Sequence, residues 1–121
     1  MIYGIGTDIT EVGRFAKWIK DPSMIARFYN ENEILKIGSE SFLCQHYAVR
    51  FAAKEAFSKA LGTGIAGFEL HDVYIANDKE GNRSCWYRER LQLCLKKGVE
   101  KMQKCMYLSV MKKNLQLHLS L

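Results

Sequence analysis

The chain has 121 residues, 48% hydrophobic and 26% charged, with a formal net charge of +5, which is enough apolar side chain for one modest core and too little chain for two domains. No run of about 18 apolar residues is present to span a bilayer, and the opening residues are too short and too acidic for a signal peptide, so a cytoplasmic protein without membrane association is expected. Cys44, Cys85, Cys94 and Cys105 show no CxxC spacing and are too few for a disulfide scaffold, while His46, His71 and His118 have no partner at metal-ligand spacing, so reduced thiols are expected and zinc is not.

Residues 1–9, MIYGIGTDI, set β-branched and aromatic side chains on one parity and Gly4, Gly6 and Asp8 on the other, the pattern of a short strand. The glycines leave a face open to another backbone or a ligand, and an aspartate there is too costly to bury without a cation or hydrogen-bond donors. Thr10 is placed to cap a helix over residues 11–20, with Val12, Phe15, Ala16 and Ile19 inward and Asp21-Pro22 as its end. Arg14, Lys17 and Lys20 fall three apart along its outer side, the spacing of a solvated basic face. Asn30 with Glu33 three residues later is a capping signal for a short helix near 31–36, and residues 38–41 read as a turn.

A long helix is predicted from about Phe42. Val49, Ala52, Ala53, Ala56, Phe57 and Ala60 obey the i, i+3, i+4, i+7 rule and form an apolar stripe, leaving Glu55, Ser58 and Lys59 to face elsewhere. Gly62-Thr63-Gly64 stops the helix. Taken alone, Glu55 and Lys59 one turn apart are an exposed ion pair worth about 0.3–0.5 kcal/mol. Residues 68–76 read as a strand and 77–81 as a hairpin turn.

Charge divides unevenly. Residues 1–81 carry nine Lys and Arg against eleven Asp and Glu, whereas residues 82–121 carry nine against two. A basic tail suggests an anionic partner, yet it shows neither a clean basic stripe nor a nucleic-acid motif, so no nucleic-acid partner is expected. A non-catalytic basic binding module for an anionic partner stands as the alternative to an enzyme.

GTDI at 6–9, together with RFAAKEAFSKALGTG at 50–64, resembles the holo-acyl-carrier-protein synthase family of 4′-phosphopantetheinyl transferases, and the family-like register continues from Met1 to about Gly81. The resemblance implies an α+β fold, a single small domain with one long helix packed on an antiparallel sheet, and a homotrimer with active sites between neighbouring subunits. It implies transfer of 4′-phosphopantetheine from coenzyme A to a serine of apo-acyl-carrier protein, with release of adenosine 3′,5′-bisphosphate. Asp8 and Glu55 match the family's Mg2+ ligands, and Lys59 matches the lysine that contacts phosphate. Ser58, Gly62, Thr63 and Gly64 fall where the family contacts the coenzyme. Arg14 matches a carrier-contacting arginine, with Lys17 and Lys20 on the same basic face. The group that takes the serine proton, a metal-bound water or Glu55 acting through it, stays open.

The tail departs from the family, where a segment resembling HVSLSH and an apolar final strand would stand. One codon choice for residues from Cys105 onward, moved by two nucleotides, reads HVSLSHEKEFAIA, and Tyr87 to Leu95 can be encoded so that a shifted frame reads SGKAAALFE. Residues 98–102 fit the family in the present frame. The expectation is a family-like 1–81 followed by an aberrant 82–121 containing out-of-frame stretches, the alternative being a divergent C-terminal region.

Overall fold

A computed structural model describes residues 4–62, 64–77, 79, 83–87, 109–112 and 116–118. In chain order these form strand β1 (Ile9–Glu11), a 3-10 turn (Val12–Arg14), helices α1 (Phe15–Trp18) and α2 (Pro22–Phe28), and a second 3-10 turn (Glu31–Glu33). The long helix α3 (Glu40–Ala60), a third 3-10 turn (Leu70–Asp72) and strands β2 (Val73–Asn77), β3 (Arg83–Tyr87), β4 (Ser109–Lys112) and β5 (Gln116–His118) follow. Strand β4 lies between β1 and β5, parallel to the first with Ile9 opposite Val110 and antiparallel to the second with Ser109 opposite His118. Strands β2 and β3 form a separate antiparallel pair with Ile75 opposite Cys85. Helix α3 runs against β1, β2 and β4. The α+β expectation of one long helix on sheet is met, but the sheet holding β1 is mixed. A parallel β1–β4 pair needs a long crossover, which the intervening helices and hairpin supply.

Several local expectations are corrected. Residues 4–8 join no ladder, because this extended segment lies on the backbone of α3: a Cβ added at Gly4 would meet the Ala60 carbonyl oxygen at 2.0 Å, and one at Gly6 the Ala56 carbonyl oxygen at 1.8 Å. Thr10 is a buried strand residue and caps nothing; the predicted helix over 11–20 is a 3-10 turn followed by only four α-helical residues. Asp21-Pro22, read as a stop, is also a start. The Asp21 carboxylate accepts from the backbone N–H of Ser23 at 2.9 Å and of Met24 at 3.4 Å, and Pro22 occupies a first-turn position that needs no N–H donor.

The expected helix near 31–36 is limited to a 3-10 turn at Glu31–Glu33, closed by the Asn30 and Glu33 capping box. The turn expected at 38–41 is shorter, since Ser39 caps α3 by accepting from the Phe42 N–H and Glu40 and Ser41 are already helical. The first half of the strand expected at 68–76 is the 3-10 turn at Leu70–Asp72, which the Glu69 and Asp72 side chains cap. The two strands flanking the hairpin turn expected at 77–81 pair as predicted, while residues 78, 80 and 81 of that turn, like Cys94 and Cys105, lie outside the described residues.

Two apolar clusters share α3. Ala53, Phe57 and Leu61 pack with Phe68, Leu70, Val73, Ile75 and Cys85 on one side, and Cys44, Tyr47 and Ala48 pack with Phe15, Ile25 and Tyr29 on the other. Phe28 and Phe51 touch both clusters, with Trp18 stacked on Phe28 at 4.9 Å between ring centres. Between the clusters lies an ion pair that the helical pattern does not announce: Lys54 and Glu33 have fully buried side chains 2.5 Å apart.

Candidate functional site

The site is built where the glycine segment meets the second half of α3. Without Cβ atoms at Gly4 and Gly6, the chain descends onto the Ala56 and Ala60 carbonyls, and two residues later Asp8 arrives beside the helix. The open face expected of these glycines is therefore taken by helix backbone. There the Lys59 ammonium donates to Asp8 Oδ1 at 2.6 Å and to the Thr7 carbonyl at 3.1 Å. The Asp8 side chain is 15% exposed and that of Lys59 52%, so the pair is half in the protein and half in water.

Glu55, one turn before Lys59 on α3, completes the group. Burial raises its carboxyl pKa first and the Asp8 charge second, against the opposing pull of Lys59 and Arg14. The two acidic side chains predicted to share a site are thus close enough to feel one another. Two carboxylates and one ammonium leave a net negative charge facing solvent. Among the described residues there is no group of three or more His, Cys, Asp and Glu that could hold a metal.

The remaining predicted residues are distributed around this centre. Arg14 is exposed, yet its guanidinium lies 5.1 Å from the Trp18 ring centre and 5.5 Å from that of Phe51, which pins it between α1 and α3. Lys17 is exposed, and Lys20 makes an exposed pair with Glu40 at 3.7 Å. Ser58, expected away from the core, is 2% exposed, and its hydroxyl donates to the Glu55 carbonyl at 2.8 Å. It is buried because α3 is covered on more than one face. Gly62 and Gly64 hold left-handed φ values of +73° and +61° with nothing within 4 Å of an added Cβ, so each leaves open room beside its Cα. Thr63 lies outside the described residues.

Sequence reasoning missed the support behind Glu55. The preceding residue, Lys54, donates to Glu33 and to the Phe28 carbonyl at 2.8 Å, while Glu33 also accepts from the backbone N–H of Asn30 at 2.9 Å and of Ile75 at 2.8 Å. This network fastens the middle of α3 to the second 3-10 turn and to β2. The available signal was that Lys54 lies on a helix face with Phe51 and Phe57, three residues to either side.

A family model for the 4′-phosphopantetheinyl transferase superfamily matches residues 4–113. The chain belongs to this superfamily. Among relatives of this transferase, the holo-acyl-carrier-protein synthase of Treponema denticola is 52% identical over 82 residues, 67% of this chain and 67% of that protein. The crystal structure of the Neisseria meningitidis holo-acyl-carrier-protein synthase superposes with a TM-score of 0.69 at 35% identity, covering 80% of both chains. A Bacillus anthracis holo-acyl-carrier-protein synthase, solved in complex with CoA (3′,5′-ADP), is 40% identical with a TM-score of 0.63, over 73% of this chain and 77% of that one.

Proposed function

We infer that this chain is a holo-acyl-carrier-protein synthase: it moves 4′-phosphopantetheine from coenzyme A to a serine hydroxyl of apo-acyl-carrier protein. A bond forms between the serine oxygen and the pantetheine-side phosphorus. The phosphoanhydride bond to the bridging oxygen breaks, and adenosine 3′,5′-bisphosphate leaves with the electron pair. The observation that carries this reading is the convergence of Asp8, Glu55 and Lys59 at the glycine-bearing seam, in a chain whose relatives and structural neighbours bear that name.

The donor set fits Mg2+. Two carboxylates, one of them with its proton affinity raised by burial and then by the other's charge, suit a hard ion that keeps most of its waters and takes phosphate oxygens, whereas the soft or nitrogen ligands favoured by zinc are absent from the group. When bound, the ion would neutralise charge on the pyrophosphate as the anhydride opens. Asp8 and Glu55 would hold it. Lys59 would stabilise phosphate charge in the transition state, and the Gly62 and Gly64 backbone would lie along the coenzyme with Thr63. Ser58 keeps only acceptor capacity for such a contact while its hydroxyl donates to the Glu55 backbone carbonyl. Glu55, or a water beside it, would take the serine proton.

Arg14, Lys17 and Lys20 would steer the acidic carrier protein. A homotrimer is supported by apolar surface next to the site, where Ile5 is 74% and Ile9 61% exposed. Residence in the cytoplasm accords with two buried, reduced thiols at Cys44 and Cys85; among the described residues no helix is long and apolar enough to cross a membrane. The aberrant-tail reading has to accommodate a superfamily match that runs on to residue 113. Coding DNA with codons incompatible with the shifted readings would refute it.

The deciding assay incubates the chain with coenzyme A, Mg2+ and apo-carrier protein and follows intact mass. One phosphopantetheine should be added to the carrier, and Asp8→Asn and Glu55→Gln should each abolish the gain. Salt-sensitive binding of carrier that ignores both substitutions, with no transfer, would replace the enzyme by the basic binding module.

A further inference from the structure

We propose that Lys59 is a displaceable internal cation that occupies Asp8 until the coenzyme's phosphates draw it away, so that metal affinity at the site is held down in the absence of nucleotide. This rests on the assignment of Asp8 and Glu55 to the metal. The two lysines of the motif carry the argument through their contrast. Lys54 is fully buried, donates to a carboxylate and a carbonyl, and lies over the Tyr29 ring, so it is fixed. Lys59 is half exposed, and its ammonium reaches Asp8 Oδ1 and the Thr7 carbonyl from the end of a four-carbon stem. Such a contact is readily exchanged, because water replaces the lost partner at little cost.

Geometry and charge favour the exchange. An Mg2+ ion coordinates carboxylate oxygen at about 2.0–2.1 Å and brings a shell of water with it. An ammonium 2.6 Å from Asp8 Oδ1 stands in that shell. A dication arriving alone would sit beside the like charge of the Lys59 ammonium. A pyrophosphate changes the balance by offering Lys59 a stronger anion than a carboxylate already shared with a metal. Lys59 leaves Asp8 for phosphate, and Asp8 Oδ1 is released. Metal and coenzyme then favour one another through the lysine as well as through direct phosphate coordination, a reciprocal coupling between two ligands of one site. A lysine that did not touch Asp8 would depress metal affinity only through the weaker, screened repulsion of a more distant charge.

The test is Mn2+ binding to the full chain without nucleotide, read from the electron paramagnetic resonance signal of the free ion. Lys59→Met, and Lys59→Gln as a second neutral variant should the first lose its circular dichroism spectrum, are expected to bind Mn2+ about fivefold more tightly than wild type. Lys59→Arg, which keeps the charge, should gain nothing, and adding Asp8→Asn to Lys59→Met should erase the gain. Equal or weaker Mn2+ affinity in the folded neutral variants overturns the latch and leaves the carboxylate site standing. Absence of Mn2+ binding by every form, even with adenosine 3′,5′-bisphosphate, removes the carboxylate site and the latch with it.

Discussion

Gly6→Ala is the sharpest probe of how the site is assembled, because Gly6 has no side chain to join the chemistry and lies on the α3 backbone two residues before Asp8. The added methyl would stand 1.8 Å from the Ala56 carbonyl oxygen and 2.7 Å from the Ala60 nitrogen, where ordinary contact begins at 3.4 Å. Both are helix backbone and cannot swing aside, so the segment must retreat by about 1.6 Å in a close-packed interface. That is enough to stretch the 2.6 Å Lys59–Asp8 contact past hydrogen-bonding range. A misplacement of about 1 Å at a reacting centre costs on the order of 100-fold in rate, equivalent to about 2.7 kcal/mol of barrier. Overpacking should lower global stability by about 1–3 kcal/mol. Initial rates of carrier modification by intact mass, alongside urea denaturation, separate the two effects. Gly13→Ala is the control, since its methyl would meet nothing nearer than a Glu11 side-chain oxygen at 3.7 Å. A folded Gly6→Ala protein working within threefold of wild type would refute the claim that this glycine positions Asp8.

The buried pair behind the site should behave as a unit. Lys54→Met alone strands the Glu33 charge and should cost about 3–5 kcal/mol in urea unfolding, whereas adding Glu33→Gln should restore much of it; a double variant as unstable as the single would show that charge burial is not the cause. His46 has its pKa lowered to about 4 by burial, outweighing its contact with the Glu33 carbonyl. The fold therefore favours the neutral ring: its contribution is complete above the unfolded value of 6.5 and is lost as pH falls from there toward 4. Replacement by Gln should flatten stability over that interval relative to wild type, and superimposable pH profiles would exclude the role. Arg14→Glu should raise KM for carrier protein about tenfold while leaving KM for coenzyme A unchanged, and an unaltered carrier KM would take Arg14 out of the docking surface.

Much of α3 was legible because its information is local. Val49, Ala52, Ala53, Ala56 and Phe57 repeat at helical spacing and all are buried, and Gly62 ends the helix with a φ that favours glycine. The capping pair Asn30 and Glu33 was legible for the same reason, although only one short turn follows it. Misreadings occurred where one signal served two purposes. Asp21-Pro22 both closes one helix and opens the next, and Gly4 and Gly6 alternate like strand residues while their actual requirement is contact with a helix. The role of Lys54 was hidden because a lysine on a helix reads as solvent-facing unless the distant carboxylate that receives it is known.

Residue types and their spacing along the chain determined the long helix, its apolar stripe, its glycine stop and the placement of Glu55 one turn from Lys59. Tertiary structure alone decided that Asp8 meets Lys59 across 51 positions of sequence, that Lys54 is buried on Glu33, and that Ser58 turns inward. The physical reason is range: helix periodicity and turn chemistry act over a few residues. Meeting across the fold depends on which backbones can approach, and here that approach is set by two missing side chains at Gly4 and Gly6.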